Sequence, residues 1–191
     1  RKLMRFTAFF SFPALFGLSL VSQEFILLTI GEKWAECIPM LQVLCIGGAF
    51  FAFNTMYQQL AISSGRSDIY MWCNIVQIIL QIALILVSCN YGIFTMVIAY
   101  TVFSILWLGV WQWQAHRIIG LRLRDALSDT MPFMLSAAAV MVATYFITLP
   151  IRNLWLLFPL RIIIASALYF AIMKIANAEI LNECIRFVRK K

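Results

Sequence analysis

Residues 69–89 read IYMWCNIVQIILQIALILVSC, twenty-one residues without a single charge. As a helix this segment would rise roughly 31 Å, close to the hydrocarbon thickness of a bilayer. Asn74, Gln77, Gln81 and Ser88 are its polar interruptions. Their spacings of three, four and seven place them on one helical face. An uncharged run of this length with one polar stripe reads as a membrane span. The stripe turns toward protein or water and the rest toward lipid.

The composition extends this reading to the whole chain. Of 191 residues, 63% are hydrophobic and 12% charged, against roughly a quarter charged in soluble domains. A soluble protein of this size has too much surface to hide so much apolar side chain. The expected fold class is all-α integral membrane. About six spans are predicted, at 6–30, 38–62, 69–89, 93–111, 133–149 and 159–176, followed by a tail at 177–191.

The separators carry helix punctuation. Gly31, Glu32 and Lys33 end the first span, and Pro39 suits the first turn of the second. Asn90-Tyr91-Gly92 makes a tight turn. Asp129 or Thr130 is expected to cap the fifth span, which Pro132 opens and Pro150 closes. Pro13 predicts a kink in the first. Residues 60–72, LAISSGRSDIYMW, form a charged island between the second and third spans. Gly65 is suited to the left-handed conformation that ends a helix, and Ser67 or Asp68 to capping the next. Arg66 fits beside the preceding C-terminus and anionic headgroups. The serines have no neighbouring base, so the turn Gly65, Arg66, Ser67, Asp68 reads as a hairpin and topology marker.

Six spans put both ends on one side of the membrane. That side would hold twelve basic residues (Arg1, Lys2, Arg5, Arg66, Arg117, Arg122, Arg124, Lys174, Arg186, Arg189, Lys190 and Lys191), and the other Lys33, Arg152 and Arg161. The bias predicts cytoplasmic termini. Trp34, Tyr91 and Trp155 mark outer edges, and Trp72, Trp111 and Trp113 inner ones. Residues 112–131, containing IIGLRLRDAL, and the tail EILNECIRFVRKK are expected to lie along the interface on anionic lipid. The opening Arg-Lys-Leu-Met-Arg, basic against an apolar run, reads as a cut within a cytoplasmic loop of a longer polypeptide.

Within the spans, Asn54, Gln58, Asn74, Gln77, Gln81 and Tyr100 are the candidate cavity-lining residues. Gln59, Ser104, Ser136, Thr144 and Thr148 add further polar positions, while Gly47 and Gly48 permit close helix approach. Two readings stand side by side. The amides either hydrogen-bond across helices as structural glue or line a hydrated path for a polar cargo. Glu24 is the carboxylate inside a candidate span and, near its outer end, is expected to reach water.

Catalytic groups are not evident. No paired intramembrane carboxylates, H-E-x-x-H motif or His beside a serine occur in the sequence. Five cysteines lack C-x-x-C spacing and His116 stands alone, so no metal site is expected. No nucleotide motif suggests a cofactor. The net charge of +7 fits anionic lipid better than nucleic acid. The chain is expected not to be an enzyme.

The stretch from Pro13 to Tyr70, with GEKW at 31–34, P-x-L-Q-x-L at 39–44 and GRSD at 65–68, resembles the Wzx-type O-antigen and capsule polysaccharide flippases. These belong to the MATE-like superfamily of multidrug and oligosaccharidyl-lipid exporters. The resemblance implies one lobe, the C-terminal half, of a two-lobed transporter in the bacterial inner membrane, with an N-terminal lobe as partner. It implies a cargo of undecaprenyl-diphosphate-linked oligosaccharide for lipopolysaccharide or capsule synthesis. One departure stands out: Asn74 and Gln77 occupy positions where related proteins carry Glu and Lys. Cationic contacts to the diphosphate would then lie in the other lobe. Drug or cation export within the superfamily, and a non-transporting membrane scaffold, are the alternatives.

Overall fold

The computed structural model describes residues 2–149 and 154–175. The tail at 177–191 and Arg152 lie outside these residues. Every element within them is helical: α1 (Lys2–Leu20), α2 (Ser22–Thr29), a 3-10 turn (Glu32–Cys37), α3 (Ile38–Ser63), α4 (Ser67–Ser88), a second 3-10 turn (Cys89–Tyr91), α5 (Ile93–Ile119), α6 (Leu123–Thr148) and α7 (Leu154–Ile175). Six helices are long and apolar enough to cross a membrane. The protein is an all-α, multi-pass membrane protein. Two compact units divide it, one of residues 1–38 and 129–191 and the other of residues 39–128.

The 39–128 unit is built from α3, α4 and α5. In α4 the sequence stripe becomes a packing surface. Tyr70, Cys73, Asn74, Gln77, Gln81, Leu84 and Ile85 are half-buried and Ser88 is buried, while Ile75, Val76, Ile78, Ile79, Leu80, Ile82, Leu86 and Val87 are exposed. The exposed set is the face a bilayer would cover. α3 and α5 approach closely where α3 has no side chain. A methyl group placed on Gly47 would fall 2.7 Å from Thr101 Cγ2.

The other unit is built from α1, α2, α7 and α6 from Asp129 onward. Its first span, expected at 6–30 with a kink at Pro13, is divided into α1 and α2. Pro13 lies inside α1 without ending it, and the break falls at Val21, whose φ −95° and ψ 8° leave the helical region. Proline cannot donate the bond that Phe9 C=O would otherwise receive. The Tyr169 hydroxyl on α7 donates to that carbonyl at 3.1 Å, in a buried position. A neighbouring helix thus supplies the donor that proline removed, as lipid-buried backbone requires. The bend at Val21 keeps its ladder, since Val21 N–H reaches Gly17 O at 3.1 Å and Phe25 N–H reaches Val21 O at 2.8 Å.

Three further expectations change. Residues 112–131 do not form a separate interfacial loop: α5 runs on to Ile119 and α6 begins at Leu123. Gly120, with φ 71°, ends α5, and its N–H donates to His116 O at 2.9 Å. A helix projecting past the hydrocarbon tolerates polar residues, so charge alone did not mark its end. Trp111 lies within α5 and is buried against its neighbours, 1% exposed. Asp129 and Pro132 lie inside α6, so neither opens that helix.

The Tyr169–Phe9 bond yields a compensation test. Tyr169→Phe should cost about 1–3 kcal/mol by orphaning a buried carbonyl, measured by reversible unfolding in detergent. Adding Pro13→Ala restores a backbone donor and should recover part of that loss.

Candidate functional site

The GRSD turn is exposed throughout. Gly65 takes φ 72°, its N–H donates to Ile62 O, and Arg66 N–H donates to Ala61 O, both at 3.0 Å. This pair of bonds satisfies the last carbonyls of α3. Arg66 itself occupies the N-cap position of α4, and no side chain caps that helix. Ser67 and Asp68 begin the helix instead of capping it, because the chain turns one residue earlier than the polar pair suggested. Asp68 sits in the first turn, where negative charge is favoured.

The six candidate cavity residues fall in the 39–128 unit and part into different roles. Asn54 is buried, and its Nδ2 donates to Ser104 O on α5 at 3.4 Å. Its Oδ1 has no partner. Asn74 Nδ2 donates to Tyr70 O of its own helix at 2.8 Å. Gln77 Oε1 is buried and unpaired. Gln58 and Gln81 are half-buried, and Tyr100 is 37% exposed.

Between α3 and α5 the structure adds a chain of bonds that the candidate set omitted. The Tyr57 hydroxyl donates to Gln112 Oε1. Gln112 Nε2 in turn donates to Leu121 O at 3.1 Å, so a side chain of α3 is linked to the turn that follows α5. Tyr57 lies three residues after Asn54, which is the signal that places it on the same face. Gln112 carried no such signal once its segment was read as a loop. Beside this chain, Thr101 Oγ1, Trp107 Nε1 and Trp111 Nε1 are buried without partners. With Asn54 Oδ1 and Gln77 Oε1 they give this unit both unmet donors and unmet acceptors. Groups of this kind at membrane depth are costly unless water or a polar ligand meets them.

Among the described residues, the buried charges Glu24, Asp129 and Arg161 lie in the other unit. Glu24 does not reach water: its Oε1 accepts from Arg161 Nη1 at 2.6 Å, and the two side chains are 3% and 8% exposed. Arg161 Nε donates to Thr148 Oγ1 at 3.1 Å and Nη1 to Leu20 O at 3.2 Å. The guanidinium carbon also lies 5.6 Å from the centre of the Tyr145 ring. Arg161 is therefore an internal residue of α7, paired within its own unit. Glu24 Oε2 remains buried without a partner. A second pair forms where Arg5 Nε and Nη2 meet Asp129 Oδ1 at 2.8 and 2.7 Å, with Asp129 1% exposed. A cavity of about 450 Å³ lies in this unit, lined chiefly by apolar side chains of α1, α2 and α7, with Arg161 in its wall. None of the six candidate residues lines it. No group of metal-ligating side chains occurs among the described residues.

The Gly47–Thr101 approach holds α3 and α5 in register, so Gly47→Ala should destabilise by about 1–3 kcal/mol through overpacking. Thr101→Ser removes the methyl that would clash. Reversible unfolding in detergent should show it recovering much of the loss in the double variant.

Comparison with known proteins addresses the family. Residues 1–39 match the family model described as "Polysaccharide biosynthesis protein". The teichuronic acid biosynthesis protein TuaB of Bacillus subtilis is 28% identical over 144 residues, 74% of this chain and 30% of TuaB. The lipopolysaccharide biosynthesis protein WzxC of Escherichia coli is 36% identical over 87 residues, 46% of this chain and 18% of WzxC. An uncharacterized membrane protein in the cps region of Klebsiella pneumoniae is 33% identical over 87 residues, again 46% of this chain and 18% of its own length. The matches thus cover well under two thirds of these relatives. No solved structure matches. Over part of its length the chain is thus similar to membrane and envelope-polysaccharide proteins, among them ones named for teichuronic acid and lipopolysaccharide biosynthesis.

Proposed function

We propose that this chain is part of a transporter that moves a polyprenyl-diphosphate-linked oligosaccharide from the cytoplasmic to the outer leaflet of the bacterial inner membrane. The observation that carries the reading is the set of unmet hydrogen-bonding groups at Asn54, Gln77, Thr101, Trp107 and Trp111 within one membrane-embedded unit. Sugar hydroxyls both donate and accept, so amide oxygens and indole N–H groups together suit them. Similarity to TuaB and WzxC supports the same direction.

In this reading the six spans form one lobe with cytoplasmic ends, and a second lobe completes the path. Asn54, Gln58, Asn74, Gln77, Gln81 and Tyr100 supply neutral contacts to the glycan. The diphosphate is held elsewhere, since α4 carries Asn74 and Gln77 in place of charge. The polyprenyl tail stays in lipid, which needs no polar path. Arg66 and the rest of the GRSD turn fix the hairpin on the cytoplasmic side. No step calls for catalysis by this chain.

Clean deletion of the full-length gene should abolish surface polysaccharide and leave the lipid-linked intermediate on the cytoplasmic face. Complementation with Gln77→Leu or Asn54→Leu should restore export several-fold less well than wild type at equal membrane abundance. Normal polysaccharide after deletion, without accumulated intermediate, would contradict the proposal. A changed drug susceptibility alone would favour the drug-export alternative. Thiol labelling of Gln77→Cys from water separates transport from a scaffold role, because a scaffold would shield it in every state.

A further inference from the structure

The 450 Å³ cavity of the unit formed by residues 1–38 and 129–191 is left unused by this functional reading. Its volume falls within the range of sites that enclose drug-sized ligands. The lining is chiefly apolar and aromatic, with Phe9 and Tyr169 buried, Phe25 half-buried, and Phe10, Ile162 and Phe170 exposed at its edge. These exposed residues belong to α1 and α7, two of the six apolar helices, so the mouth opens on an apolar surface of membrane-spanning helices. An apolar cavity is a poor container for water, which needs two to four polar partners.

Charge decides among the hydrocarbon chains that could enter. Arg161 is the one charged residue in the lining, and Glu24 already neutralises it at 2.6 Å. The site therefore offers no net positive charge to a diphosphate. The two hydroxyls of the lining are committed to backbone, Tyr169 donating to Phe9 O and Ser166 to Ile162 O. What remains is a neutral, aromatic-walled slot open to the bilayer. We propose that this cavity is a resident-lipid site which takes one acyl chain of a bilayer phospholipid, separate from the path of the transported glycan. The chain fills space between α1, α2 and α7 and covers the apolar side of the Arg161–Glu24 pair, sustaining its low-dielectric surroundings. The inference is independent of what the protein transports.

The test uses full-length protein in bilayer nanodiscs containing phosphatidylethanolamine with a diazirine midway along one acyl chain. After illumination, crosslinked peptides should concentrate in segments 9–25 and 158–170, several-fold above the lipid-facing segment 75–87. Ala14→Trp and Ser166→Trp place indole rings in the slot from opposite walls and should each lower that labelling several-fold, leaving segment 75–87 unchanged. Labelling spread evenly over all lipid-facing helices in the wild type would overturn the proposal whether or not the variants fold. A parallel arm uses diazirine-tagged polyprenyl phosphate. If that probe labels these segments and the phospholipid probe does not, the cavity belongs to the carrier lipid and the assignment fails.

Discussion

In hydrocarbon no water stands by to satisfy a polar group, so each one must find its partner within the protein. The pair of Arg161 and Glu24 is where this constraint binds hardest. Either charge alone at that depth would be severely penalised. Together they draw in Thr148 Oγ1 of α6 and the Leu20 carbonyl beside the α1–α2 bend. One guanidinium thereby ties α7 to α6, to α2 and to the end of α1. The Val21 bend lies next to this contact, and α2 presents Glu24 from its first turn. At the other charged contact, the buried Asp129 is met by Arg5, whose side chain is 37% exposed.

The same rule explains how proline is accommodated. Pro13 leaves a carbonyl without its helical donor, and Tyr169 fills the vacancy from across the unit. In the 39–128 unit the rule is satisfied less completely. Tyr57, Gln112 and Leu121 form a closed chain of bonds, yet Asn54, Gln77, Thr101 and two indoles keep unmet capacity. The two units thus treat polarity differently. One pairs its charges internally around an apolar cavity, and the other leaves neutral groups with hydrogen bonds still to make.

Much of the architecture was legible in the sequence because membrane helices announce themselves by length and apolarity. Residues 69–89 showed both a span and its inward stripe, and α4 packs on that stripe. Gly31, Gly65, Gly92 and Gly120 all take positive φ at turns, where glycine is the residue least hindered. Helix ends were less legible. Residues 112–119 are polar enough to resemble a loop, but a helix emerging from hydrocarbon has no reason to stop at its first polar residue. Partners across long sequence separations were least legible of all. Glu24 and Arg161 are 137 residues apart, and each alone looked like a charge near an outer edge. Tyr57 was hidden for another reason: a tyrosine in an apolar run reads as packing until its hydroxyl is seen to have a partner.

The Arg161–Glu24 pair acts as one internal joint. A double-mutant cycle on Glu24→Gln and Arg161→Gln, read by reversible unfolding in detergent, tests it directly. Loss of one partner from a buried pair is expected to cost about 3–5 kcal/mol. The double variant should then be more stable than the sum of the single losses implies, by about 1–3 kcal/mol. Additive losses, to within about 0.5 kcal/mol, would contradict a coupled joint.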